Sequence, residues 1–200
     1  MKKLPLVLIC TRLLLGALLV PLSYLQINHY PTIAVIFLTA GLLSDIFDGI
    51  LARKYNVSTP SLRRMDSSAD QAFFVLVAVA TFLQCPHFFY DHSLKLIVLI
   101  SVEALTYAVC FLKFRKEIAT HSIASKIWTL ILFATLVQIM TSCDSGVLFQ
   151  LCFYVGILTR LEIIAIVLVL RDWTTDVPSF YHAIRLRQGK PVKRHKLFNG

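Results

Sequence analysis

The sequence predicts an all-α membrane protein with six transmembrane helices and with its amino and carboxyl termini in the cytoplasm. Three observations predict it. Of the 200 residues 57% are hydrophobic and only 16% are charged, with mean hydropathy +0.72; an ordinary soluble domain carries about 25% charged residues. The apolar residues gather into six runs near the roughly 20 residues that a span requires. The cations fall between these runs and on alternate sides.

The first run, 5–25, follows Lys2 and Lys3. Its apolar stretch is long and no small-x-small cleavage site precedes Pro21, so a retained helix is expected rather than a signal peptide. The second run is 31–51 and the third 66–85. Between them Thr59, Pro60 and Ser61 have the composition that ends a turn and caps a following helix. The remaining runs are 92–112, 123–142 and 147–170. Loops after the second and fourth runs carry Arg53, Lys54, Arg63, Arg64 and Lys113, Arg115, Lys116. The three other loops, near His29, around Pro86 to Asp91 and around Asp144, contain no Lys or Arg. Positive-inside bias then places both ends and the basic loops in the cytoplasm. His87, Phe88, Phe89 and Tyr90 form an aromatic-rich outer segment that suits the interfacial belt.

Residues 1–172 form one transmembrane domain in this reading, and 173–200 a basic cytoplasmic tail. After Pro178 the tail interleaves Phe180, Tyr181, Ile184 and Leu186 with Arg185 and Arg187, as a short amphipathic helix on anionic lipid does. The net charge of +9 therefore follows from topology, and nucleic acid is not expected as a partner. Cys10, Cys85, Cys110, Cys143 and Cys152 show no CxxC spacing; they are expected as membrane-buried thiols, neither a disulfide framework nor a zinc site. The six histidines lack ligand spacing.

Ionisable residues inside spans are costly and mark function or pairing. The stretch from Asp45 to Asp70 carries four carboxylates. Asp45 and Asp48 stand at i, i+3, and Asp66 and Asp70 at i, i+4, so each pair shares a helix face. Neighbouring antiparallel helices bring the pairs to similar depth. Four such charges repel one another, and two divalent cations are the simplest counter-charge. Arg12, Glu103, Lys126, Arg160 and Glu162 lie in the same leaflet, which implies a polar cavity opening inward. Glu103, Arg160 and Glu162 are also suited to an internal ion pair tying the fourth span to the sixth, while Lys95 near the outer end is expected to snorkel.

As a pattern, residues 45 to 70 read D-x2-D-G-x2-A-R-x8-L-x3-D-x3-D. This resembles the signature of the CDP-alcohol phosphatidyltransferases and matches seven of its eight fixed positions, Leu62 standing where the family has glycine. Pro5, Thr11 and Arg12 are similar to the family's opening, with Leu6 for a common asparagine. IASKIWT at 123–129 is weakly similar to a stretch of the phosphatidylglycerophosphate synthases.

The resemblance implies transfer of a phosphatidyl group from a CDP-linked lipid to a small alcohol, with release of CMP; the topology places this at the inner leaflet. It implies two divalent metals, Mg2+ or Mn2+, at Asp45, Asp48 and Asp66, with Asp70 at the metal site and acting as base. It also implies a homodimer. Gly49 and Ala52 leave room for the nucleotide, and Arg53, at the helix end, is placed for a phosphate or a helix-terminal carbonyl. Arg12, Lys126 and Arg160 suggest a positive subsite, which glycerol 3-phosphate, the best guess, or inositol phosphate would fit; serine, inositol or a CDP-choline donor are further readings, and Arg12 and Lys126 equally suit snorkelling to headgroups. Two other readings compete: a divalent-cation transporter, and a relative made inactive by Leu62.

Overall fold

Runs of apolar residues with few internal breakers can satisfy their backbone groups in lipid only as helices. In the computed structural model, which describes residues 4–25, 27–54, 60–118, 122–175 and 177–190, they do so. The elements are α1 (Leu4–Tyr24), α2 (Tyr30–Lys54), α3 (Pro60–Gln84), α4 (Pro86–Asp91), α5 (Ser93–Phe114), α6 (Ile123–Ser142), α7 (Gly146–Val169) and α8 (Phe180–Arg187). All except α4 and α8 are long and apolar enough to cross a membrane. Their outward positions are apolar: Leu14, Ile36, Val75, Leu112 and Leu158 are all more than half exposed, as lipid-facing side chains are.

The spans lie close to the expected ones, with one informative difference. α3 starts at Pro60, six residues before the apolar run, so Leu62, Asp66 and Asp70 ride on one continuous helix. The Pro86–Asp91 segment, expected as a loop, is the helix α4. Its Phe89 and Tyr90 pack edge-on against Phe82 at 5.4 and 6.0 Å. The turn containing Thr59, the side chains of Pro60 and Ser61, the opening lysines Lys2 and Lys3, and the tail cations Lys193, Arg194 and Lys196 lie outside the described residues.

The chain divides into two compact units, residues 1–91 with 136–145, and 92–135 with 146–200. In the first, α1 packs extensively against both α2 and α3, which touch each other far less. α1 is therefore the middle helix of the three, and Ile9, Leu19, Leu38, Phe73, Val77 and Ala80 are buried along them. At the end of this unit away from the acids, Gln84 Nε2 donates to the Ser23 carbonyl at 2.5 Å. Here the sequence expectation for the cysteines fails: Cys85 and Cys143 form a disulfide. They are 58 residues apart, and a pairing between the ends of different helices leaves no spacing signature. Cys110 and Cys152 are buried thiols, and Cys10 is an exposed one.

In the second unit α5 packs on α7, and α8 folds back against α7. Cys110, Ile163 and Val167 form one core cluster; Ile166, Leu170, Val177 and Ala183 form another. Lys113 Nζ donates to the carbonyls of Val167, Leu168 and Leu170 at 3.0, 2.7 and 2.7 Å, supplying cation and donors where the helix end has neither. Lys95, expected to reach headgroups, instead donates to Gln150 Oε1 at 2.6 Å. Glu162 accepts from the backbone N–H of Phe180 at 3.3 Å, at the start of α8.

Candidate active site

The site lies in the first unit and is built on Arg12 of α1. Nothing in an apolar helix can hold an ionised guanidinium away from water except opposite charge and acceptors, and Arg12 is 1% exposed. Its Nη1 contacts Asp45 Oδ1 at 3.3 Å, Asp66 Oδ1 at 3.2 Å, and Asp70. Its Nη2 contacts Asp48, and Nε donates to Ser44 Oγ at 3.3 Å. Ser44 passes the chain of bonds on, donating to the Gly41 carbonyl at 2.7 Å. All four aspartates of α2 and α3 thus converge on one side chain of the helix between them.

Helical spacing explains the convergence. Gly41, Ser44, Asp45 and Asp48 repeat at three and four residues along α2, and Asp66 and Asp70 at four along α3. The pocket is graded: the Asp48 side chain is 3% exposed, whereas Asp45, Asp66 and Asp70 are 37, 31 and 32% exposed. A buried floor under a reachable rim is what a ligand entering from one side needs.

Carboxylate oxygens of Asp45, Asp48 and Asp66 lie within 4.8 Å of one another. These are hard donors of the kind that Mg2+ and Mn2+ take. Among the described side chains four carboxylates meet one guanidinium, and the residues fit a divalent cation.

Of the other expected site residues, Gly49 follows Asp48 on α2 and is half-buried. The side chains of Ala52 and Arg53 lie outside the described residues. Lys126, exposed in the first turn of α6, and Arg160 of α7 belong to the second unit. Arg160 forms an ion pair with Glu103 of α5 and lies over the Trp128 ring at 4.8 Å, while Trp128 Nε1 donates to the Cys152 carbonyl at 3.0 Å. Sequence reasoning missed Ser44 altogether and gave Arg12 no link to the aspartates. For Ser44 a signal existed: it stands four residues before Asp48, a small polar group on the acidic stripe.

Six apolar helices, with an anionic pocket between three of them, define an integral membrane protein equipped to hold cations beside a polar substrate. The model of the CDP-alcohol phosphatidyltransferase family matches residues 2–170. The chain belongs to this family. No curated protein and no solved structure matches it. It is a transferase for substituted phosphate groups, moving a phosphatidyl group from a CDP-alcohol to an alcohol acceptor within phospholipid biosynthesis in a bilayer. The family uses divalent metals, and an enzymatic identity displaces the cation-transporter reading.

Proposed function

We propose that the enzyme transfers the phosphatidyl group of CDP-diacylglycerol to a small polar alcohol, glycerol 3-phosphate by preference, and releases CMP. The observation that carries this is the convergence of Asp45, Asp48, Asp66 and Asp70 on Arg12, with Asp48 buried and the other three partly exposed. Asp45, Asp48 and Asp66, with Asp70 beside them, hold two divalent ions, Mg2+ or Mn2+. When bound, such a pair neutralises the diphosphate and stabilises charge on the leaving phosphate.

The chain's own groups do the rest. An alcohol is too weak an acid to attack unaided, and a carboxylate within reach takes its proton as the bond forms. Asp70 fills this role on the exposed rim. The acceptor oxygen bonds to the phosphorus that carries diacylglycerol, the bond from that phosphorus to the oxygen bridging it to CMP breaks, and the proton passes to Asp70. Gly49, Ala52 and Arg53 line the nucleotide, as the motif implies. Arg12, Lys126 and Arg160 are the cations from which a phosphate-bearing acceptor draws its partner; Arg12 can serve only by giving up carboxylates, and Arg160 only by sharing itself with Glu103.

In this reading 1–172 is the catalytic membrane domain, 173–200 a basic tail on anionic lipid, and the enzyme a homodimer. The acids face the cytoplasm. The loop charges support that orientation, and so does the Cys85–Cys143 disulfide, because disulfides persist on the oxidising side.

The test is a panel of alcohols with purified protein, CDP-diacylglycerol or CDP-choline, and Mg2+ or Mn2+, reading CMP and the lipid product by mass. We expect CMP and phosphatidylglycerophosphate with glycerol 3-phosphate. No CMP with any acceptor overturns the proposal, and another lipid product reassigns the acceptor.

A further inference from the structure

We propose that Arg12 is a built-in counter-cation that holds the four aspartates in register and contests the same carboxylate oxygens with the divalent ions. The inference deepens the proposed metal site and rests on it. Its first support is donor arithmetic. Each terminal guanidinium nitrogen has two N–H donors, yet Nη1 is shared by carboxylates of Asp45, Asp66 and Asp70. Arg12 alone does not saturate these carboxylates, and a second cation can share them.

The second support is placement. Arg12 belongs to the helix that packs on both α2 and α3, and those two helices have little direct contact. Arg12 contacts Asp45 and Asp48 on the one and Asp66 and Asp70 on the other. The third is burial. At 1% exposure the guanidinium is enclosed among the carboxylates it contacts, so it stays within a few ångströms of any ion that the aspartates take up. A fixed positive charge at that range, only partly screened, opposes a divalent ion strongly. Arg12 thus makes the site form readily and keeps its grip on metal moderate, which suits a site where metal-bound product must leave.

Mn2+ binding followed by electron paramagnetic resonance, together with melting temperature in EDTA and in Mn2+, tests this without any lipid substrate. For Arg12→Gln we expect Mn2+ to bind about tenfold or more tightly, as loss of one nearby positive charge predicts. We also expect a lower melting temperature in EDTA and a larger rise on adding Mn2+. Unchanged or weaker Mn2+ binding would overturn the proposal. Arg12→Lys keeps the charge but has too short a fork to span both helices. It should bind Mn2+ like the unaltered protein and melt lower in EDTA; tight binding like that expected of the glutamine variant, or an unchanged melt, counts against the proposal. If Arg12→Gln folds in neither condition, the lysine variant decides on these same two readouts. The outcomes separate cleanly: an unaltered enzyme that releases no CMP sinks the transferase reading alone, whereas CMP release with Mn2+ affinity indifferent to Arg12→Gln sinks this one alone.

Discussion

The ring of Phe73 in α3 presses on the backbone of Gly41 in α2 so closely that a Cβ at position 41 would overlap it. A Cβ at Gly16 of α1 would stand 3.0 Å from Cδ2 of the same ring. Gly16 is one turn beyond Arg12, Gly41 one turn before Asp45, and Phe73 one turn beyond Asp70. The aromatic wedge therefore sets the separation of three helices next to the charged cluster. Helix association in lipid depends on such close packing over small residues. Gly41→Ala should cost about 1 to 3 kcal/mol, as overpacking does. The expected result is a melting temperature lower by several degrees and CMP release down by about tenfold, with partial recovery when Phe73→Leu is added. Normal melting and rate for Gly41→Ala would show that the ring yields freely and does not position the site.

Asp70 is the acid whose proposed role is proton transfer, and its amide tests that role. Asp70→Asn keeps the shape and removes the basic oxygen. Turnover should fall by about 10² to 10⁴, the usual contribution of a positioned base, while CDP-diacylglycerol binding, followed by calorimetry in Mg2+, changes little. Near-normal turnover assigns the base elsewhere. Chelation of metal by EDTA should stop CMP release in the unaltered enzyme, and Mg2+ or Mn2+ should restore it.

The spans and the four aspartates were legible because both are local patterns. A lipid-facing helix needs about 20 apolar residues, and acids at three- and four-residue spacing share a face whatever surrounds them. What joins Asp48 to Asp66 was not legible, because it depends on which helix lies between α2 and α3. α1 takes that place, so Arg12, which by itself reads as a snorkelling or substrate-binding cation, becomes the hub. The Cys85–Cys143 bond was hidden for the same reason: its partners meet only after α3 and α6 are placed. Gly41 and Ser44 were visible in principle, since both extend the stripe of Asp45 and Asp48.

Leu62 stands one turn before Asp66 on α3 and replaces the glycine of the family motif. It is half-buried, and within a helix leucine is favoured over glycine by about 0.5 to 1 kcal/mol. Leu62→Gly should therefore lower the melting temperature, through lost helix propensity and removal of a half-buried side chain, and leave CMP release within about threefold. A gain in rate of ten times or more would show that the leucine side chain obstructs the nucleotide.

Arg160 and Glu103 join α7 to α5, with their side chains 16 and 34% exposed. Removing one partner strands the other, which for a fully buried pair costs about 3 to 5 kcal/mol; partial exposure here puts the loss below that range. Glu103→Gln should lower the melting temperature more than the double change Glu103→Gln with Arg160→Met, which removes both charges together. An intact KM for the acceptor in the folded double variant would take Arg160 out of the acceptor site.

Cys85 follows α3, fifteen residues beyond Asp70, which at 1.5 Å per residue is roughly 22 Å along the helix. That is most of a hydrocarbon core about 30 Å thick, so the disulfide and the acids belong to opposite leaflets. The loop closed by the bond spans 58 residues, long enough for cross-linking to stabilise by about 2 to 4 kcal/mol. Cys85→Ser with Cys143→Ser should accordingly melt several degrees lower than the oxidised protein. In sealed vesicles of native orientation, a membrane-impermeant phosphine should reduce the bond and a charged maleimide should then label both cysteines from outside. Labelling only in inverted vesicles would place the disulfide in the cytoplasm, turn the aspartates outward, and reverse the orientation proposed for the reaction.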